Sequence, residues 1–250
     1  TAALLISAST MGYLPQDSIK ISNVTANAAE EEITSVEINE TNFPDENFRE
    51  YVKSSFDKDG DGVLSAEEIA AVTEIEVDSM GISDLTGIKN FKKLSILYCS
   101  YNNLTTLDLS NCSALTDLSC WGNQLTSLDV SNCSALTDLS CSGNQLTSLD
   151  VSGCIDLKQL SCYNNQLTSL DVSNNTALNI LECSSNRLTS LDVSNNTALK
   201  NLWCYENKLT SLDVSNCSAL TNLSCDDNKL TSLDVSNNSA LTKLICSYNQ

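Results

Sequence analysis

The feature that most constrains this chain is a repeat of 21 residues that fills its C-terminal part. One copy runs from Leu115 to Ala135, and successive copies follow without insertion or deletion. The first leucine of each copy recurs at Leu94, Leu115, Leu136, Leu157, Leu178, Leu199, Leu220 and Leu241. A strict period of this length is typical of a solenoid, in which each repeat forms one coil and packs on its neighbours.

Alternating side chains predict a short strand in every coil. Leu118 and Cys120 are apolar, whereas Asp117, Ser119 and Trp121 alternate with them. This is the period of a half-buried strand, so we expect Leu and Cys to point inward and the other three residues to line a concave face. The pattern L-x-x-L-x-C-x-x-N-x-L resembles a leucine-rich repeat with Cys in its third apolar slot. We therefore predict a leucine-rich-repeat solenoid, mostly β, with one parallel strand per coil.

Composition excludes several classes of function. The 250 residues carry 32 acidic and 13 basic side chains and a net charge of -19, so nucleic acid is excluded as an expected partner. The chain has no His, and it therefore lacks the usual general base and imidazole metal ligand. We predict that it is not an enzyme. No apolar run reaches the length of about 18 residues that a transmembrane span needs.

The cysteines predict a ladder of reduced thiols. In stacked parallel strands, equivalent residues lie about 4.8 Å apart, whereas disulfide-bonded Cβ atoms approach to roughly 3.5 to 4.5 Å. Zinc is the alternative, although one row of thiols does not converge on a tetrahedral point. The inward slot is occupied by Cys99, Cys120, Cys141, Cys162, Cys183, Cys204, Cys225 and Cys246. A second column contains Cys112, Cys133, Cys154, Asn175, Asn196, Cys217 and Asn238.

The N-terminal segment resembles a processed leader. Residues 1–28 read as a partial signal peptide, with an apolar stretch from Ala2 to Ile6 and a possible cleavage site at Ala26-Asn27-Ala28. A disordered leader is the alternative. Residues 29–41 are predicted to form an acidic linker.

Residues 42–71 predict a small α-helical cap that resembles an EF-hand. The segment from Asp57 to Glu68 resembles an EF-hand calcium loop, in which carboxylates alternate before a sharp turn at Gly62. We expect one structural Ca²⁺ here, and an acidic turn without an ion is the alternative. The predicted ligands are Asp57, Asp59, Asp61, Val63, Ser65 and Glu68.

Residues 72–93 form a degenerate first repeat with Val77 in the Cys slot, and residues 94–250 form the regular repeats, which stop within a copy. A helical EF-hand-like cap that leads into Cys-bearing repeats resembles the internalins of the cysteine-ladder type. The resemblance implies a secreted or cell-wall-attached bacterial protein that binds a partner.

Two polar columns follow the same period. The Asn column is expected to satisfy backbone groups of adjacent coils. It contains Asn102, Asn123, Asn144, Asn165, Asn186, Asn207, Asn228 and Asn249. The Asp column is expected to accept N–H groups within turns, and a row of bridging cations is the alternative. It contains Asp108, Asp129, Asp150, Asp171, Asp192, Asp213 and Asp234.

The outward strand positions vary from coil to coil, whereas the rest of the repeat does not. We therefore expect a recognition surface at these positions. The candidate ligand-binding residues are Tyr98, Trp121, Tyr163, Trp203 and Tyr205. Three of them share a slot in alternate coils, which predicts a spacing of about 10 Å. We expect a binding or adhesion module for a host or neighbouring-cell protein or glycan. The alternatives are a targeting flank of a secreted hydrolase whose catalytic domain lies beyond residue 250, and a structural envelope spacer.

Overall fold

The structure is a computed structural model that describes residues 35–250. The predicted leader at residues 1–28 lies outside the described residues, as does the linker up to residue 34. The described chain begins with a cap of two helices and two short strands and continues as a parallel sheet that adds one strand for each coil.

The cap consists of β1 (Val36–Glu37), α1 (Glu46–Phe56), β2 (Val63–Leu64) and α2 (Ala66–Ala71). Helix α1 begins after Asp45, whose side chain accepts the N–H of Phe48 at 3.1 Å. Helix α2 begins with a capping box in which the side chains of Ser65 and Glu68 each accept a backbone N–H of the other residue. Both starts follow from the preference of Ser and Asp for the N-cap position.

Part of the segment predicted as a linker is ordered as a strand. Val36 pairs with Leu64 in an antiparallel ladder, and the Ile38 N–H donates to the Gly62 carbonyl at 2.9 Å. The prediction of an acidic linker over residues 29–41 missed this strand, because two residues are too few to show a periodic pattern. The pairing satisfies backbone groups of β2 that would otherwise be unpaired.

The nine-stranded sheet runs in chain order, and every pair in it is parallel. Its strands are β3 (Glu74–Glu76), β4 (Ile96–Tyr98), β5 (Asp117–Ser119), β6 (Asp138–Ser140), β7 (Gln159–Ser161), β8 (Ile180–Glu182), β9 (Asn201–Trp203), β10 (Asn222–Ser224) and β11 (Lys243–Ile245). Leu118 pairs with Leu97 on one side and with Leu139 on the other. Equivalent residues therefore stack directly, as the repeat predicts.

The core is a continuous stack of the apolar slots. Leu94, Leu97 and Cys99 are fully buried, and the same slots are buried in the following coils as far as β10. In the cap, Phe43 and Phe48 meet edge to face with ring centroids 5.9 Å apart. Coil and cap thus share one hydrophobic core. The leucine-rich-repeat solenoid is confirmed.

The cap and the degenerate first repeat are held together by polar contacts as well as by the core. The second carboxylate oxygen of Asp45 accepts the Ser83 N–H at 2.8 Å. The Tyr51 hydroxyl accepts the Glu76 N–H at 3.1 Å. A short 3₁₀ helix, Ile88–Asn90, follows Gly87 in the same coil.

Candidate functional site

The Asn column forms a hydrogen-bonded ladder between coils. In Asn186, Nδ2 donates to the carbonyls of Cys162 and Cys183 at 3.0 and 3.1 Å. Its Oδ1 accepts the Leu167 N–H at 3.0 Å. One buried amide therefore satisfies groups of two successive coils, so this column has a structural role rather than a recognition role.

The cysteines form the predicted ladder of free thiols. Eleven of the twelve are buried, and Cys246 in the last described coil is exposed. Burial raises the pKa of Cys120 and of Cys183 to about 12. These side chains are therefore neutral thiols at pH 7 and lack the thiolate that a nucleophile requires.

Cysteine and asparagine can both occupy the second column because both bond the equivalent carbonyls of the preceding coil. Cys154 Sγ lies 3.8 Å from the Val130 carbonyl and 3.6 Å from that of Cys133. In the next coil, Asn175 Nδ2 donates to the carbonyls of Val151 and Cys154 at 2.9 and 2.8 Å. Either side chain in this column therefore bonds backbone carbonyls of the preceding coil.

The Asp column closes turns. Asp192 Oδ1 accepts the Ser194 N–H at 2.9 Å, and this backbone bond, with the Ser194 hydroxyl, holds the pKa of Asp192 below its usual value. The same contact recurs in each copy from Asp108 to Asp234. Within residues 35–250, this column does not gather three carboxylates at one point, so the geometry favours turns over a row of cations.

Two adjoining grooves lie on the face formed by the outward strand residues, which is the face predicted to be concave. The first, of about 320 Å³, is lined by Tyr98 and by strand residues that include Asp117 and Asp138. The second, also of about 320 Å³, lies further along the solenoid. Its lining residues, which we call the aromatic groove, are Tyr163, Glu182, Ser184, Trp203, Tyr205, Ser224 and Ile245.

The five predicted ligand-binding residues are not gathered at one point. Tyr163, Trp203 and Tyr205 line the aromatic groove, whereas Tyr98 lines the first groove. Trp121 leans toward Tyr163, and their ring centroids lie 6.5 Å apart. The prediction of about 10 Å concerns the spacing of their slots two coils apart, and the rings lean closer than the slots. An added Cβ on Gly143 would lie 3.0 Å from Trp121 Nε1, so the missing side chain of this glycine leaves room for the ring.

Sequence reasoning missed Tyr101. This side chain is 54% exposed, and its ring centroid lies 4.1 Å from that of Trp121. Its backbone has a φ of 53°, in a turn column that elsewhere contains Gly122, Gly143 and Asn164. The glycines and asparagine signal a left-handed turn. An aromatic in that column was the available sign of an exposed ring at the edge of the face.

The cap loop brings three of the predicted calcium ligands together. One oxygen from each of Asp57, Asp59 and Asp61 lies within 4.8 Å of the others, and no other group of three metal-ligating side chains is found in residues 35–250. Asp57 is held in place by the N–H groups of Gly60 and Gly62 at 2.8 and 3.0 Å.

The other predicted ligands have different contacts. Glu68 Oε2 accepts the Ser65 N–H at 2.8 Å and Oε1 accepts the Lys58 N–H at 2.6 Å, and these bonds lower the pKa of Glu68. Val63 donates its N–H to Asp61 Oδ1 at 2.7 Å. The donor set is made of hard oxygen atoms, which is the set that Ca²⁺ prefers.

The fold and the ladders define a leucine-rich-repeat solenoid with a helical cap and a buried row of cysteines. The family model for the leucine-rich-repeat domain of the endo-beta-N-acetylglucosaminidase EndoS matches residues 43–175. The chain belongs to this leucine-rich-repeat family. A second model, the LVIVD repeat, matches residues 223–250.

Several of the similar proteins are internalins of Listeria monocytogenes. Internalin J of Listeria monocytogenes is 44% identical over 68 residues, which are 27% of this chain and 7% of that protein. The solved functional domain of InlJ from the same species, described as including a cysteine ladder, is 42% identical with a TM-score of 0.83. The match covers 87% of this chain and 48% of the InlJ chain. This protein is therefore an internalin-like leucine-rich-repeat protein, and it spans less than half of the solved InlJ chain.

More distant structures share the fold. Internalin C2 of Listeria monocytogenes is 22% identical with a TM-score of 0.75, over 87% of this chain and 98% of that one. Among the described residues, no helix has the length and apolar character of a membrane span.

Proposed function

We propose that this chain is a non-catalytic binding or adhesion module that acts outside the bacterial cell, secreted or attached to the wall, and recognises a protein or glycan with its concave face. The observation that carries the proposal is the aromatic groove. Tyr163, Trp203 and Tyr205 come together in this groove, whereas most outward strand positions on the face are small or polar. Aromatic side chains in a groove provide large contact area at low entropic cost.

The test compares aromatic residues inside and outside the groove. Trp203→Ala and Tyr205→Ala are expected to reduce binding to any ligand found on arrays of glycans and extracellular proteins by about tenfold or more. Tyr248→Ala is the control, because Tyr248 is 80% exposed and does not line the groove. A ligand that binds all three variants like the parent chain would show that the groove is not the site.

A second function is favoured by the matched family model, which describes a domain of a glycosidase. In this reading, the repeats are a flank that brings a hydrolase to its substrate, and the catalytic domain lies beyond residue 250. The complete gene product tests it. Release of sugars that falls when the aromatic groove is altered, with unchanged hydrolysis of a small soluble substrate, would support targeting.

We also propose that the cap loop binds one structural Ca²⁺. The convergence of Asp57, Asp59 and Asp61 supports this, because three carboxylates at this distance repel one another without a cation. Val63 and Ser65 would complete the ligands, and Glu68 would join them by releasing its bond from Lys58. Free calcium at 100 times its dissociation constant would stabilise the folded chain by about 2.7 kcal/mol.

Thermal unfolding with calcium and with a chelator tests the ion. We expect the midpoint of the parent chain to fall on chelation, and that of Glu68→Gln to change little. Gln retains the capping-box bond of α2, so the comparison isolates the metal. Glu67→Gln, which removes a neighbouring charge outside the ligand set, is expected to keep the response. Equal midpoints of the parent chain with and without chelator would contradict the proposal.

A further inference from the structure

The concave face carries an unbalanced negative charge. The outward residues of β3 to β11 include five carboxylates and one basic residue, Lys243 in the last strand. The carboxylates are Glu74, Glu76, Asp117, Asp138 and Glu182. A side-chain hydrogen bond with Glu74, followed by the charges of Glu74 and Asp78, raises the pKa of Glu76. Such a face attracts a cationic partner and repels an anionic one.

The aromatic groove places one of these charges among aromatic rings. Glu182 lines it together with Tyr163, Trp203 and Tyr205. Glu182 Oε2 accepts the Ser161 hydroxyl at 2.7 Å, a bond that engages one of its two oxygens and fixes the side chain. A carboxylate beside tryptophan and tyrosine faces is the environment that a guanidinium group fits, by pairing and by stacking.

The same groove contains a buried hydroxyl without a partner. Ser100 and Ser142 occupy the equivalent position in other coils, and each bonds a serine of the following strand, at 2.8 and 3.0 Å. For Ser184 that place is taken by Trp203. Ser184 is 1% exposed, and its Oγ has no hydrogen-bond partner. An unpaired buried acceptor is unfavourable, and a donor from a ligand would satisfy it.

We propose that the aromatic groove binds an arginine side chain of a protein partner. This rests on the proposed binding function and names the chemistry of the partner. The guanidinium stacks on Trp203, pairs with Glu182 and supplies donors toward Ser184. A neutral glycan would gain from the rings but not from the five carboxylates, and the point charge of lysine lacks the planar fork that stacks on an indole.

A pair of matched peptides tests the assignment. One is a capped glycine-serine peptide with two arginines, and the other has citrulline at both places, which keeps the shape and removes the charge. Titration against the 250-residue chain is expected to give binding of the arginine peptide that weakens as NaCl is raised. The citrulline peptide should bind more weakly by about tenfold or more.

Two variants locate the effect. Glu182→Gln is expected to weaken binding of the arginine peptide by about tenfold. Glu206→Gln, which removes the same charge at a turn one coil away and outside the groove, should stay within about twofold. Circular dichroism confirms that both variants fold.

Several outcomes overturn the assignment. These are no binding of the arginine peptide to the parent chain, equal binding of both peptides, or equal losses in the two variants. A neutral oligosaccharide that binds in a Trp203-dependent way overturns the arginine assignment but retains the proposed binding function. Failure of the proposed binding function is a separate outcome, in which every ligand found on the arrays binds all the groove variants like the parent chain.

Discussion

At the scale of single residues, the solenoid depends on side chains that bond backbone groups of the adjacent coil. Each buried asparagine of the Asn column spans two coils, and the asparagines of the second column leave Oδ1 without a partner at Asn175, Asn196 and Asn238. The donor half of the amide is therefore what that second column uses, which explains why a thiol, a weak donor, replaces it elsewhere.

The Asn column gives a prediction that can be compared with a nearby exposed asparagine as its control. Asn186→Ala removes three donor contacts to carbonyls, and it leaves the buried Leu167 N–H without its acceptor. The Cys162 and Cys183 carbonyls each keep one bond, from Asn165 and Asn207. We expect a loss of about 2 to 4 kcal/mol in the free energy of unfolding. Asn195→Ala removes one exposed bond of 3.2 Å to Ser173 and should cost under about 1 kcal/mol. Urea denaturation measures both, and similar losses would show that the ladder contributes no more than a surface bond.

At the scale of elements, the periodic strands could be predicted and the short irregular ones could not. Leu118 and Cys120 are buried because alternation specifies their side of the strand. The pairing of Val36 with Leu64 depends on a tertiary contact with no local signal. Likewise, Trp121 leans toward Tyr163 over the small Gly143, and neither spacing nor propensity encodes a ring orientation.

The junction of cap and first coil provides a prediction at this scale. Gly87 has a φ of 104°, and an added Cβ would lie 2.5 Å from the Phe43 ring and 2.6 Å from the Asn42 carbonyl oxygen. Gly87→Ala therefore adds a backbone clash to the cost of a left-handed residue, and we expect a loss of about 3 kcal/mol or more.

Gly81→Ala is the matched control for this junction. Gly81 has a φ of 70°, and the nearest atom to an added Cβ is Asn47 Nδ2 at an ordinary 3.7 Å. It should lose only the backbone term, about 1 to 2 kcal/mol. Differential scanning calorimetry compares the two variants, and a Gly87→Ala midpoint equal to that of Gly81→Ala would mean that the cap moves freely away from the coil.

At the scale of the whole molecule, stability is a sum over coils and the contacts between neighbours, so a slot matters according to how many neighbours its coil has. Leu181 pairs with Leu160 and Leu202 and is fully buried, whereas Leu244 occupies the same slot, pairs with Leu223 and is 41% exposed. We expect Leu181→Ala to lower the free energy of unfolding by about 2 to 5 kcal/mol, because it opens a cavity between two coils. Leu244→Ala removes the same atoms where solvent already reaches them, and should cost under about 1 kcal/mol. Urea unfolding of the 250-residue chain measures both losses, and equal costs would mean that each coil is stable by itself and that stacking adds nothing.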